Sequence, residues 1–136
     1  MIRKALTILF IATLAMLLGG CLGKSGESDA DRAADYKAAA ESVAHVERAE
    51  VDYKTATGMG RTGAVHIYAD TSDRAMMMHV LEEALSAIVD SAEGDPEVGL
   101  PIQVTSADKA EILSMSDIGF TGVPSLNSYR EFLGRK

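Results

Sequence analysis

VERAEVDYKTAT-GMG-RTGAVHIYA, residues 46–69, is the stretch whose reading decides the fold class. In its first part Ala49, Val51, Tyr53 and Thr55 alternate with Glu50, Asp52 and Lys54. A period of two with one apolar and one charged set is the pattern of a strand with one face buried and the other wet. Gly58-Met59-Gly60 follows and reads as a hairpin loop. From Arg61 to Ala69 the alternation resumes, with Val65, Ile67 and Ala69 facing one way and Ala64, His66 and Tyr68 the other. The more apolar set belongs against the core, because a one-residue slip would turn every side chain to the wrong side. His66 and Tyr68 are therefore expected outward and substantially exposed, beside the acids of the first strand.

Working outward from the hairpin, the next segment is helical. Met77, Leu81, Ala84, Leu85 and Ile88 form an apolar stripe, with Met78 and Val89 beside it. His79, Glu82, Glu83, Ser86 and Asp90 lie opposite. Thr71, Ser72 or Asp73 can cap its start, and Glu93-Gly94-Asp95-Pro96 ends it. Leu100 to Thr105 reads as a third strand with Leu100, Ile102 and Val104 inward. Ala107-Asp108-Lys109 is a turn, and Ala110 to Met115 is a fourth strand. On the other side of the hairpin, Asp31 to Ala44 is predicted as an alanine-rich helix capped by Asp29 or Asp31. A short helix after Pro124-Ser125, with Leu126, Tyr129, Phe132 and Leu133 on its apolar side, closes the chain.

The order α-β-β-α-β-(β)-α predicts a small α+β two-layer sandwich. A right-handed helical crossover makes the third strand parallel to the second. We expect it to lie beside the first strand, antiparallel to it. That gives an antiparallel sheet of three or four strands in the order 2-1-3-4, with the second strand at an edge. Both long helices then cover one face, as in ferredoxin-like and related split α/β folds.

At 136 residues the chain has room for one core, and it is 47% hydrophobic and 24% charged. Its formal net charge is −7. The first twenty residues hold Arg3 and Lys4 and no acid, which leaves the remainder at −9. Such an acidic surface argues against nucleic acid as a partner. The single cysteine precludes an internal disulfide and a cysteine-based zinc site.

That cysteine stands in a telling place. Met1-Ile2-Arg3-Lys4 is a short basic segment, and Ala5 to Leu18 is an apolar run shorter than the roughly 20 residues of a membrane span. Leu18-Gly19-Gly20-Cys21 then resembles the lipobox of bacterial prolipoproteins. The resemblance implies cleavage before Cys21, a thioether-linked diacylglycerol on its sulfur, and a domain held on the outer side of the cytoplasmic membrane. A secretory peptide with a coincidental cysteine, or an uncleaved anchor helix, is the alternative reading. Residues 1–20 would be the signal peptide, 21–30 the lipidated cysteine and a flexible tether, and 31–136 a single domain. Eight residues of such a tether span about 16 Å on average, so the domain is expected close to the membrane. In layout the mature region resembles small uncharacterised lipoproteins of high-GC Gram-positive bacteria, a likeness that carries no activity.

The residues that bear chemistry are sparse. His45, His66 and His79 share no metal-binding spacing. Met76-Met77-Met78-His79 suits copper(I) by ligand type, but successive helical residues diverge by about 100°, which leaves only Met76 and His79 on a common surface. No nucleophile motif or phosphate loop is present. Gly58-Met59-Gly60-Arg61 is explained by the hairpin, Asp117 to Phe120 by a turn and a core plug, and Glu82 and Glu83 diverge on their helix. The expected function is therefore non-catalytic, with no cofactor. The chain is read as a lipid-anchored domain that meets an envelope protein or ligand through Glu50, Asp52, Lys54, His66 and Tyr68. A small envelope enzyme using His66 and Tyr68 is the alternative, and a copper-handling protein using Met76 and His79 a further one.

Serine has no thiolate from which to form the thioether. Cys21→Ser is accordingly expected to abolish incorporation of labelled fatty acid, and to leave precursor accumulating or the domain shed into the medium. A Cys21→Ser protein that remains membrane-bound at mature size would show the lipobox reading to be wrong.

Overall fold

The computed structural model describes residues 27–56, 58 and 60–134. The N-terminal apolar segment, Cys21, most of the tether, Thr57 and Met59 lie outside the described residues. The elements are α1 (Asp29–Glu41), β1 (Val46–Ala56), β2 (Gly60–Ala69), α2 (Arg74–Ser91), β3 (Ile102–Thr105), β4 (Ile112–Ser114), a 3-10 turn (Met115–Ile118) and α3 (Leu126–Phe132).

Local chemistry accounts for the element ends. Ser28, rather than Asp29 or Asp31, caps α1: its hydroxyl accepts the Asp31 N–H at 3.1 Å, and the Asp31 carboxylate accepts the Ser28 N–H at 3.2 Å. This reciprocal pair satisfies two orphan donors and starts the helix two residues earlier than the alanine pattern suggested. The helix stops at Glu41, three residues early, and the chain turns through His45 at a left-handed φ of 69°. Asp73 caps α2, accepting the Met76 N–H at 2.9 Å. Gly94, at φ 81°, lets the chain turn away after it.

The strand alternation holds. Ala49, Tyr53, Val65, Ile67, Ala69, Ile102, Val104 and Leu113 are buried in one core with the α2 stripe, Tyr36 and Ala40 of α1, and Leu126 and Tyr129 of α3. The helices thus supply one layer and the four-stranded sheet the other. Two buried tyrosines brace the layers. Tyr36 donates its O–H to the Asp95 carboxylate at 3.0 Å, and Tyr129 donates to the Leu100 carbonyl at 2.7 Å. Burial, reinforced for Tyr36 by the neighbouring Asp95 charge, pushes both phenols far above their ordinary range.

The sheet order differs from expectation. It is β1-β2-β3-β4, and the sheet is mixed, because β3 pairs parallel to β2 and β4 antiparallel to β3. The expected order 2-1-3-4, the wholly antiparallel sheet and its ferredoxin-like arrangement are corrected accordingly. Strand β2 is central, and β1 and β4 are the edges. The parallel relation of β3 to β2 is the expected one, whereas its place beside β2 rather than β1 is not. The reason lies at the two sides of the hairpin. At the free side of β1, the ends of α1 hydrogen-bond the strand: Glu41 accepts the Ala49 N–H at 3.0 Å and Asp29 accepts the Thr55 N–H at 2.9 Å. At the free side of β2, Gly63 and Val65 donate to the Gly99 and Pro101 carbonyls at 2.7 and 2.9 Å. Gly63 is fitted to this approach, since a Cβ there would stand 2.9 Å from Leu100 Cδ1 and 2.7 Å from the Asp52 carbonyl oxygen.

Leu81 is fully buried, whereas the His79 side chain is 64% exposed. Leu81→Ala is therefore expected to lower unfolding free energy in urea by about 2–4 kcal/mol, through lost transfer energy and a residual cavity. His79→Ala is expected to change it by less than about 0.5 kcal/mol. Similar losses from the two would mean that the helix packs by another face.

Candidate binding face

Register places the outward side chains of the sheet in rows. Arg48 stands opposite Tyr68, Tyr68 beside Thr105, and Thr105 opposite Ile112. The next row is Glu50, His66, Gln103 and Ser114. Farther along β1, Asp52 stands opposite Ala64 and Lys54 opposite Thr62. The five residues singled out from sequence thus share one face, but only three form a connected group.

That group is a stack of planar side chains. The His66 and Tyr68 rings lie 4.7 Å apart and within 6° of parallel. The Arg48 guanidinium covers the other side of Tyr68, 3.6 Å from the ring centroid. Glu50 ties the stack together, accepting hydrogen bonds from Arg48 and, at 3.4 Å, from the Tyr68 hydroxyl. Arg48 foremost holds the Glu50 carboxyl below its ordinary range, and Glu50 in turn raises the guanidinium. On the far side, His66 Nε2 and Thr105 Oγ1 are 2.7 Å apart. His66 and Tyr68 face outward as expected, yet they are half-buried rather than substantially exposed, because each ring covers the other.

Asp52 and Lys54 are exposed and do not join the stack. Two residues that complete it were missed. Arg48 carries the same even-numbered parity as Glu50 and Asp52, so extending the alternation by one step would have found it. Thr105 had no such signal, because β3 was expected beside β1 and only its pairing with β2 brings Thr105 to His66.

The imidazole–hydroxyl pair has the distance of a base and a nucleophile, but Thr105 is only 6% exposed. Among the described residues no carboxylate hydrogen-bonds His66 to orient it, as a catalytic triad requires. Beyond Gln103 the face runs into a cavity of about 360 Å³ lined by Pro101, Gln103, Ser114, Met115, Ser116 and Phe120 among others, all without charge. A larger, open concavity of about 850 Å³ lies away from the sheet face, between the end of α2 and α3, where Arg130 reaches the Ala92 carbonyl at 2.8 Å. On α2, Met76 is exposed, Met77 is fully buried, and His79 Nε2 lies 3.9 Å from Glu83. Among the described residues no three His, Cys, Asp or Glu side chains are grouped to hold a metal ion.

Thr105→Val keeps the shape of the residue and removes the hydroxyl. It is expected to cost about 1 kcal/mol of unfolding free energy, the net worth of one hydrogen bond. In NMR spectra of the same variant, the His66 Nε2 signal should lose its hydrogen-bonded shift. An unmoved His66 signal would show that the pair does not form in solution.

No protein-family model matches the chain, and no curated protein or solved structure matches it.

Proposed function

We propose that this chain is a lipid-anchored lipoprotein of the bacterial cell envelope. Its domain is a non-catalytic binding module on the outer side of the cytoplasmic membrane, and its uncovered sheet face meets a partner protein. The anchor rests on Cys21 after the apolar run. No described helix is long and apolar enough to cross a membrane. The observation that carries the binding role is the Arg48–Tyr68–His66 stack, tied by Glu50 and Thr105 on a face that no described helix covers. Side chains already locked against each other lose little rotamer freedom when a partner arrives. Tyrosine and arginine are also the residue types that anchor protein interfaces. The 2.7 Å His66–Thr105 pair is the one feature that favours an enzyme instead, and the shielded hydroxyl weighs against it.

Photo-crosslinking residues placed at Asp52 or Gln103, on the sheet face, and at Glu82, on the helix layer, test this in intact membranes. A discrete adduct is expected from the sheet-face positions, and it should be lost when Tyr68→Ala is added. Adducts from Glu82 alone, or none from the sheet face, would refute the binding role.

A further inference from the structure

The second surface of interest is the free edge of β1. In an antiparallel ladder, alternate residues turn their backbone N–H and C=O groups away from the neighbouring strand. The Ala49 and Thr55 N–H groups show which residues these are in β1, because both bond to side chains of α1 rather than to β2. Ala49 donates to Glu41 Oε1 at 3.0 Å, and Thr55 donates to Asp29 Oδ2 at 2.9 Å. The Thr55 hydroxyl adds a second bond, to Asp29 Oδ1, at 2.8 Å. Val51 and Tyr53 have the same parity, so their backbone groups point to the same open edge.

The two carboxylates stand at the two ends of one helix. Twelve helical steps from Asp29 to Glu41 cover about 18 Å. Six strand steps from Ala49 to Thr55 cover about 20 Å. Helix α1 therefore runs antiparallel to β1 with a length that lets each end reach one edge N–H. Lys37, one turn before Glu41, holds that carboxylate by an ion pair. Thr55 at one end, and Lys37 with Ala49 at the other, hold both carboxyls below their ordinary values, so both are charged at neutral pH.

An open edge strand is a template for another strand. The sequence of β1 suits pairing with itself. With Val51 opposite Tyr53 of a second copy, Glu50 falls opposite Lys54 at both ends of a two-fold contact, against one Asp52–Asp52 repulsion at the centre. In that register Ala49 falls opposite Thr55, where the two carboxylates stand. We propose that Asp29 and Glu41 are edge guards, which occupy the outer N–H groups of β1 and keep it from pairing antiparallel with a second copy of this chain. Only the two outward N–H groups of Val51 and Tyr53 are left between them, a three-residue window too short for a stable ladder.

Sedimentation of the full chain in detergent, combined with amide exchange of residues 49–55, tests the proposal. Asp29→Ala with Glu41→Ala is expected to double the protein mass with rising concentration and to slow exchange of the Val51 and Tyr53 amides. Asp29→Asn with Glu41→Gln retains an acceptor oxygen at each end and should behave as wild type. Val51→Pro, which removes an outward N–H that an edge strand can lose, should return the double alanine variant to the wild-type mass. A folded double alanine variant that keeps the wild-type mass would overturn the proposal, as would a dimer that survives Val51→Pro. Should the double variant fail to fold, Glu41→Ala alone leaves the Ser28 cap and the Asp29–Thr55 bonds in place. It is expected to dimerise more weakly, and a wild-type mass there also overturns the proposal.

Discussion

The hydrogen bonds from β1 to the two ends of α1 are the constraint on which the rest of the architecture depends. An isolated β1–β2 hairpin has two edges, and either could receive the next strand. Once Glu41 takes the Ala49 N–H and Asp29 the Thr55 N–H, the ladder cannot extend on the β1 side. The chain leaving α2 pairs on the β2 side. There Gly63 allows Leu100 to approach closely, and the Gly99 and Pro101 carbonyls begin the parallel pairing. The sheet order agrees with this, since β3 pairs at the edge of β2 that α1 leaves free.

The same choice builds the candidate binding face. Because β3 lies against β2, Thr105 comes beside Tyr68 and within reach of His66. Had β3 added to β1, the histidine would have had no hydroxyl partner and the stack would have ended at His66. The face is also asymmetric along the strands. Near Tyr68 it is aromatic and tied by Arg48 and Glu50, whereas toward the hairpin loop it is a plain charged surface of Asp52 and Lys54. A partner that recognises shape would use the first region and tolerate the second.

The core beneath shows how a chain with few large aromatics still fixes its layers. Tyr36 reaches Asp95 beyond α2 and meets Tyr53 edge-on at 5.8 Å, while Tyr129 bonds Leu100 and packs on Phe120 at 5.0 Å. Each phenol supplies apolar area and one directed hydrogen bond. Helices α1 and α3 are thereby tied to the segment that links α2 to β3. That segment, 95–101, is irregular, and it is tied to the 124–126 backbone by the Leu100 N–H on the Pro124 carbonyl at 2.9 Å and the Leu126 N–H on the Val98 carbonyl at 3.0 Å.

Much was legible without coordinates. Alternation along 46–69 determined the hairpin, its register and the inward set, because a strand's side chains have a fixed period and only one set was apolar. The α2 stripe was equally plain, since a helix of that length shows several repeats of its period. The helix boundaries were less so: Ser28 outcompeted the aspartates as cap because its hydroxyl and the Asp31 carboxylate satisfy two N–H groups at once. Sheet order was settled only by the tertiary structure. Parity says which way a backbone group points but not what meets it. Two carboxylates set 12 residues apart in α1 reach the Ala49 and Thr55 N–H groups of β1, a match that neither segment shows by itself. The membership of Thr105 follows from that pairing, and no local pattern carries information about a contact made across 39 residues of chain.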